Sequence, residues 1–298
     1  MSVPELRLVR YFVAVAEELH FGRAAHRLHM AQPGLSQQIK SLEQQLGVRL
    51  LDRNSRQVRL TPAGDLLLDE GRRLLALAER TADQVRRAGL GQIGRVTVAA
   101  IGSATYDIIP RLLREHRQRF PDVEVLLREL STPAQVHALR DGEIDVGFLR
   151  LPADVEQLVA HVVREERMAL MLPESHPLAA MREVPLRSLA HEPLIVFPAA
   201  PRPSWADTVV AACREAGFEP RVAQEAMESA TVVSFVAAGI GVALVPEGLL
   251  MLARPGVVCR MVAPPAPVTR LAVVHRAGDQ RPAVTALLGV VRELWPAR

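Results

Sequence analysis

The sequence predicts a multidomain α+β protein in three parts: an N-terminal winged helix-turn-helix, a long connecting helix and a C-terminal two-lobed α/β domain. Three observations carry this. Residues 21–46 hold two amphipathic helical patterns on either side of a tight turn. No proline interrupts the chain between Pro62 and Pro110, and an apolar stripe runs through the first half of that interval. From Arg95 onward, short apolar runs alternate with helical patterns, the texture of an α/β sheet.

Taken in order, the first helix covers Pro4 to Leu19, with Leu8, Phe12, Val15, Ala16 and Leu19 facing inward. A short second helix turns Ala24, Ala25 and Leu28 inward, and two alanines let a neighbouring helix cross closely. In the third, Leu35, Ile39, Leu42 and Leu46 form one stripe, while Gln32, Pro33, Ser36, Gln37, Lys40 and Gln44 take the opposite face. Short and amide side chains with a single cation suit base edges in a major groove better than they suit a core. By spacing alone, the pair also fits an ordinary αα-hairpin in a bundle.

Gly47 is the expected terminator of that helix. Val48–Leu51 and Gln57–Leu60 read as short strands around a basic turn at 52–56, the pattern of a wing. Arg53 and Arg56 would enter a minor groove or grip phosphate, and Arg10 on the first helix would lie near the backbone. Solvated surface is the alternative for any one arginine. Residues 20–60 hold seven cations against two acids. Residues 1–92 carry 14 Lys and Arg against 10 acids, whereas 93–298 carry 22 against 23. Positive charge therefore gathers around the helix-turn-helix, as in a phosphate-backbone binder.

Thr61 as N-cap and Pro62 in the first turn start the long helix. Leu67, Leu68, Gly71, Leu74, Leu75, Ala78, Ala82 and Val85 form its stripe at near-heptad spacing. Running to about Ala88, the helix would be about 40 Å long, too long for the wing domain to cover. Gly89, Gly91 and Gly94 mark a flexible joint. The expected divisions are a DNA-binding domain over 1–61, a linker helix and hinge over 62–92, and a ligand domain over 93–298.

In the last part, strands are expected at 95–101, 123–130 and 144–150, with helices at 106–119 and 133–141. A second unit begins near Glu166, with strands at 168–173, 193–197, 221–225 and 242–245 and helices at 205–216 and 231–238. The proline-rich 263–267 reads as a return crossing, after which strand 270–275 and helix 282–295 rejoin the first unit. Lobe I is therefore 93–165 with 268–298, and lobe II is 166–267, each expected around a mostly parallel sheet.

Composition narrows the function. Of 298 residues, 49% are hydrophobic, so the chain folds and is not disordered. Cys213 and Cys259 are too few and too far apart for a disulfide scaffold, which points to a reducing cytoplasm. The start MSVPELRLVR lacks the apolar core of a signal peptide. Residues 229–246 are uncharged, but Ser, Thr, Gly and Pro interrupt them, so a buried helix and strand are expected and no membrane contact. The chain shows no P-loop, no G-x-G-x-x-G after a strand, no G-x-S-x-G and no H-E-x-x-H. No enzyme activity, metal or cofactor is expected.

The order of residues adds a resemblance. Residues 10–18 (RYFVAVAEE), Phe21, Ala24-Ala25, Leu28, Ala31-Gln32-Pro33, Leu35-Ser36, Gln38-Ile39, Leu42-Glu43, Leu46-Gly47, Leu50, Arg53, Leu60-Thr61 and Ala63-Gly64 resemble the N-terminal domain of LysR-type transcriptional regulators. The match is close over about sixty-five residues and looser beyond. It implies that the long helix pairs with its copy in a second chain, and that the protein is a homodimer or homotetramer on double-stranded promoter DNA. It also implies that the protein works with RNA polymerase, more commonly as an activator. The two-lobed part resembles the family's effector-binding domain, related in fold to periplasmic binding proteins. Many members carry arginine where this chain has Gln37, and glutamine pairs with adenine where arginine reads guanine.

Parallel sheets bind ligands at the carboxyl ends of strands, beside helix N-termini. Ser103 follows the first strand, and Thr132, a candidate N-cap, follows the second. The family's matching positions commonly touch the effector, although plain helix capping also accounts for them. Arg150, Phe197, Arg202 and Ser204 would complete the cleft, with Trp205 as an aromatic wall. Two helix-start hydroxyls facing an arginine suggest a small organic acid. The resemblance is closest to members that sense intermediates of aromatic breakdown, on residues 11–18, Gly147-Phe148 with Arg150, and Pro203-Ser204. Benzoate- and muconate-like acids are therefore the first candidates.

Overall fold

Helix α1 (Leu6–Glu18) forms where the apolar period is strongest, burying Leu8, Val9, Phe12, Val13, Val15 and Ala16. It opens the computed structural model, which describes residues 3–54 and 57–296. Leu19 departs from the expected stripe: it is the left-handed C-cap, 47% exposed, because the helix ends before the stripe does. Helices α2 (Phe21–Arg27) and α3 (Gln32–Leu46) follow, and Ala24, Ala25, Leu35, Ile39 and Leu42 close one core against α1. Gly47 ends α3 at φ 71°, a left-handed conformation that glycine adopts without a Cβ penalty.

Strands β1 (Leu51–Asn54) and β2 (Gln57–Leu60) pair antiparallel from Leu51↔Leu60 to Asn54↔Gln57. Pairing thus takes up Asp52, Arg53 and Asn54, which the sequence suggested were turn. Helix α4 (Pro62–Gly89) starts at Thr61, whose hydroxyl accepts from the Gly64 N–H at 3.0 Å and donates to the Arg49 carbonyl at 2.8 Å. Leu67, Leu68 and Leu75 pack on the N-terminal core, while Leu66, Leu74, Leu77 and Val85 are exposed.

The chain forms two compact units, residues 1–86 and 87–298. Gly91, expected in a loose joint, is a packing position: at φ 68°, an added Cβ would come 2.5 Å from the Pro282 carbonyl oxygen.

In the second unit, β3 (Ile93–Ala100), α5 (Ile108–Arg119), β4 (Asp122–Glu129), α6 (Thr132–Arg140) and β5 (Val146–Leu151) build lobe I, with β4, β3 and β5 adjacent and parallel. A 3₁₀ turn, Gly102–Tyr106, replaces the expected start of α5. The chain then leaves on β6 (Leu158–Pro173), a 16-residue strand of about 53 Å that serves both lobes. The sequence pattern marks only its second half, 168–173.

Lobe II holds β7 (Glu183–Val184), β8 (Pro193–Val196), α7 (Trp205–Glu215), β9 (Arg221–Glu225), α8 (Ser229–Ala237), β10 (Ala243–Pro246) and the unforeseen β11 (Val257–Val262). Strand β12 (Val268–Arg276) returns between β5 and β6, and α9 (Pro282–Leu294) caps lobe I. The sheet is therefore mixed, not mostly parallel. An outgoing and a returning strand lie side by side, so β12 runs antiparallel to both neighbours, and β10 and β11 run antiparallel to β6.

Candidate functional site

The exposed face of α3 carries Gln32, Pro33, Gln37 and Lys40, with Ser36 half-buried beside them. Arg10 is exposed on α1. Arg53 lies on β1, and Arg56 lies outside the described residues. Not all of the basic stretch is available to a partner: Arg27 pairs with Glu17 at 2.8 Å and Arg23 with Glu18 at 3.2 Å. Arg72 reaches Glu17 from α4, and these guanidiniums, Arg27 foremost, hold the Glu17 carboxyl below its usual range.

Two supporting residues escaped sequence reading. His20 caps α2 with Nδ1, accepting from the Gly22 and Arg23 N–H groups. Glu43 on α3 accepts from the Leu50 and Leu51 N–H groups at 3.0 and 3.2 Å, tying α3 to the start of the wing.

In the second unit, Arg150 is the hub. Its guanidinium donates to Ser103 Oγ at 3.1 Å, Thr269 Oγ1 at 2.9 Å and Glu166 Oε2 at 2.9 Å. It also lies 5.0 Å from the centre of the Trp205 ring. Burial disfavours the cation and sets its pKa below the ordinary value, with Glu166 opposing that shift. Glu166 Oε1 also accepts from the Gly248 N–H at 3.2 Å, so this carboxylate bridges a lobe I arginine to lobe II.

Thr132 departs from expectation. Ser131 is the N-cap, without a side-chain cap bond, and buried Thr132 sits one position inside, its Oγ1 accepting from the Arg150 backbone N–H at 3.2 Å. The structure thus brings Ser103, Thr132 and Arg150 together. The others contribute differently: Ser204 forms a capping box with Asp207, and exposed Arg202 pairs with Asp207 at 3.3 Å. Phe197 packs on the lobe II core. Glu166 and Thr269, each buried, were missed. Among the described residues no group of three or more His, Cys, Asp or Glu is placed to hold a metal ion. Among them no helix is long and apolar enough to cross a membrane.

A winged helix-turn-helix joined in one chain to a two-lobed α/β domain with a buried polar hub defines the architecture of a DNA-binding regulator with a second folded module. Residues 6–65 match the family described as bacterial regulatory helix-turn-helix protein, lysR family, and residues 90–296 match the LysR substrate binding domain. The chain is 41% identical over 243 residues to the HTH-type transcriptional regulator AlsR of Bacillus subtilis, covering 82% of this chain and 80% of that one. It is 36% identical over 292 residues to a probable cat1 operon transcriptional activator of Acinetobacter lwoffii, covering 98% and 96%. The crystal structure of CbnR, a LysR family transcriptional regulator, superposes with a TM-score of 0.89 at 31% identity, covering 97% of this chain and all of that one. The chain belongs to the LysR family of transcriptional regulators.

Proposed function

We propose that this regulator binds promoter DNA under the control of a small organic-acid effector held between its two lobes, and that it acts chiefly as an activator together with RNA polymerase. The carrying observation is the convergence of the Ser103 and Thr132 hydroxyls on buried Arg150 at the lobe junction. The Ser103 hydroxyl in the 3₁₀ turn and the Thr132 hydroxyl at the start of α6 receive a carboxylate, and Arg150 supplies positive potential. Phe197, Arg202 and Ser204 line the lobe II side. On DNA, Gln32, Pro33, Ser36, Gln37 and Lys40 face the major groove, Arg10 the phosphates, and Arg53 and Arg56 the minor groove. The exposed Leu66, Leu74, Leu77 and Val85 of α4 support pairing with a second copy, as a dimer or tetramer. The division of labour is DNA binding by 1–61, pairing by 62–92 and sensing by 93–298. The relative named as an operon activator supports the sign of regulation.

A redox-sensing reading finds no support in the thiols. Burial, with Glu219 adding to it, pushes Cys213 up to about 11, and burial also raises Cys259, so neither is a ready thiolate at neutral pH.

The test is thermal unfolding of the full chain against a panel of small acids that includes aromatic breakdown products. A ligand at 100 times its Kd adds about 2.7 kcal/mol. Stabilisation lost on Ser103→Ala or Thr132→Val supports the reading. Stabilisation indifferent to both places the acid elsewhere and overturns it.

A further inference from the structure

The groups assigned to the effector are shut away from water. Thr132 and Arg150 are buried, and so are Glu166 and Thr269 around them. A small molecule reaches Thr132 and the Arg150 donors only if an element over them moves. Three elements meet here. They are the 3₁₀ turn Gly102–Tyr106 of lobe I with Ser103, the start of α7 with Trp205, and the 3₁₀ turn Glu247–Leu252 with Gly248.

Two of the three are held by directional bonds. Trp205 Nε1 donates to the Leu244 carbonyl at 2.8 Å, and the Ser204–Asp207 capping box fixes the first turn of α7. The Gly248 N–H donates to Glu166 at 3.2 Å, and β10, which leads into that turn, is paired with β6.

The turn 102–106 is held differently. Both its ends are anchored to lobe I: the Ile101 N–H donates to the Phe148 carbonyl at 3.0 Å, and Asp107 pairs with Arg164 at 2.5 Å. Between these anchors the Ala104 N–H donates to the Ile101 carbonyl, Thr105 Oγ1 donates to the Gly102 carbonyl, and Ser103 Oγ accepts from Arg150. The body of the turn nevertheless rests on lobe II. Tyr106 packs on the lobe II cluster that contains Ile195, Ala226 and Val232. A Cβ built on Gly102 would lie 3.6 Å from Ser229 Oγ, and one built on Gly248 would lie 3.9 Å from the Ser103 carbonyl oxygen. Among the described residues no hydrogen bond or ion pair joins residues 101–107 to lobe II.

Packing without directional bonds is released without stranding a buried polar group. Hydrogen-bond geometry within a 3₁₀ turn is also poorer than in an α-helix. A strap fixed at its two ends and seated by contact alone is therefore the cover that moves at least cost.

We propose that the turn 102–106 is the gate of the effector site, with Tyr106 as the plug that seats it on lobe II. This rests on Ser103, Thr132 and Arg150 being where the effector goes. Ser103 lies on the gate itself, so its hydroxyl leaves Arg150 as the turn lifts and returns as it closes. One element thus admits the ligand and supplies one of its contacts.

Opening is measured on the full chain without a ligand. Thr132→Cys places a buried thiol at the site, and its alkylation by iodoacetamide, followed by mass spectrometry, reports how often the site opens. Cys213 and Cys259 are read on separate peptides. Adding Tyr106→Ala is expected to speed alkylation at position 132 by about tenfold or more, because the ring no longer seats the turn. Tyr106→Phe keeps the ring and should leave the rate as it was. Gly102→Cys with Ser229→Cys, oxidised to a disulfide, pins the turn to lobe II and should slow alkylation. Phe218→Ala, which loosens the lobe II core away from the turn, controls for general destabilisation and should leave the rate little changed. Equal rates with and without Tyr106→Ala, or a disulfide without effect, overturn the gate. So does an acceleration by Phe218→Ala as large as that by Tyr106→Ala, since access would then come from general loosening. The acid panel judges the effector reading separately: if no acid acts through Ser103 and Thr132 while the alkylation rates behave as expected, the effector reading falls and the gate over the Arg150 hub stands.

Discussion

Removing the charge of Glu166 tests whether the Arg150 hub holds the lobe junction. The Arg150 and Glu166 side chains are 9% and 5% exposed, and their N–O distance is 2.9 Å. Glu166→Gln keeps the shape but leaves a buried guanidinium with only the neutral Ser103 and Thr269 oxygens and the Trp205 face. Breaking a buried pair by removing one partner costs about 3–5 kcal/mol, because the remaining charge is uncompensated. For a unit of 150–250 residues each kcal/mol moves Tm by about 2–4 °C, so the expected drop is about 6–20 °C. Differential scanning calorimetry of the full chain, following the transition of residues 87–298, measures it. The double variant Arg150→Met with Glu166→Gln removes both charges and should recover most of the loss. A Glu166→Gln transition within about 2 °C of the parent would refute the reasoning, since the guanidinium would then be solvated well enough to need no counter-charge.

Gln37→Arg should shift the preferred pair at its contact position from A·T toward G·C by about tenfold or more in selection from a randomised operator pool, and an unchanged base there counts against direct readout by this residue. Glu43→Ala strips the Leu50 and Leu51 N–H groups of their acceptor, and a loss of about 2 kcal/mol is expected in denaturant melts of the N-terminal unit, with weaker operator binding. Hydrogen bonds from Arg281 hold the Asp279 carboxyl at about 2, against an ordinary 3.8. Its folded pKa is depressed, so its contribution of about 2 kcal/mol is present above pH ~4 and lost as pH falls toward 2. Urea melts between pH 5 and 2 should show this for the parent and a flatter profile for Asp279→Asn.

The helix-turn-helix was legible because its information is local. The period of Leu35, Ile39 and Leu42 and the terminator Gly47 act within one helix and its cap. Strand pairing is not local, and the order around β12 and β6 depends on segments about a hundred residues apart. Glu166 shows the limit most clearly. In Glu165-Glu166-Arg167 it reads as one of three solvated charges, yet it is buried. Leu271 pairs with Arg164 and Ala272 with Val162, so Val163 is an extra residue in β6. That bulge shifts the inside-outside alternation by one position. Val163 and Glu166, of opposite parity, both turn inward, and no alternation pattern in the sequence marks the change. Thr132 failed differently: threonine before proline has the form of an N-cap, but Ser131 holds that place and frees Thr132 for the Arg150 backbone.

The position of these groups bears on how the lobe junction couples to the rest of the domain. Two strands carry the chain between the lobes, and each gives a side chain to Arg150: Glu166 from β6 and Thr269 from β12. Ser103 comes from lobe I, and the Trp205 ring from lobe II. A group that competes for the Arg150 donors therefore acts on both crossings at once. The same carboxylate holds the Gly248 N–H, so a shift of Glu166 is also felt at the lobe II turn 247–252. A ligand moves such a two-state element only by the difference in its affinity for the two arrangements. A buried pair that costs several kcal/mol to break sets the scale of that difference, so the effector proposed for the lobe junction would need a differential affinity of that order to tip the domain.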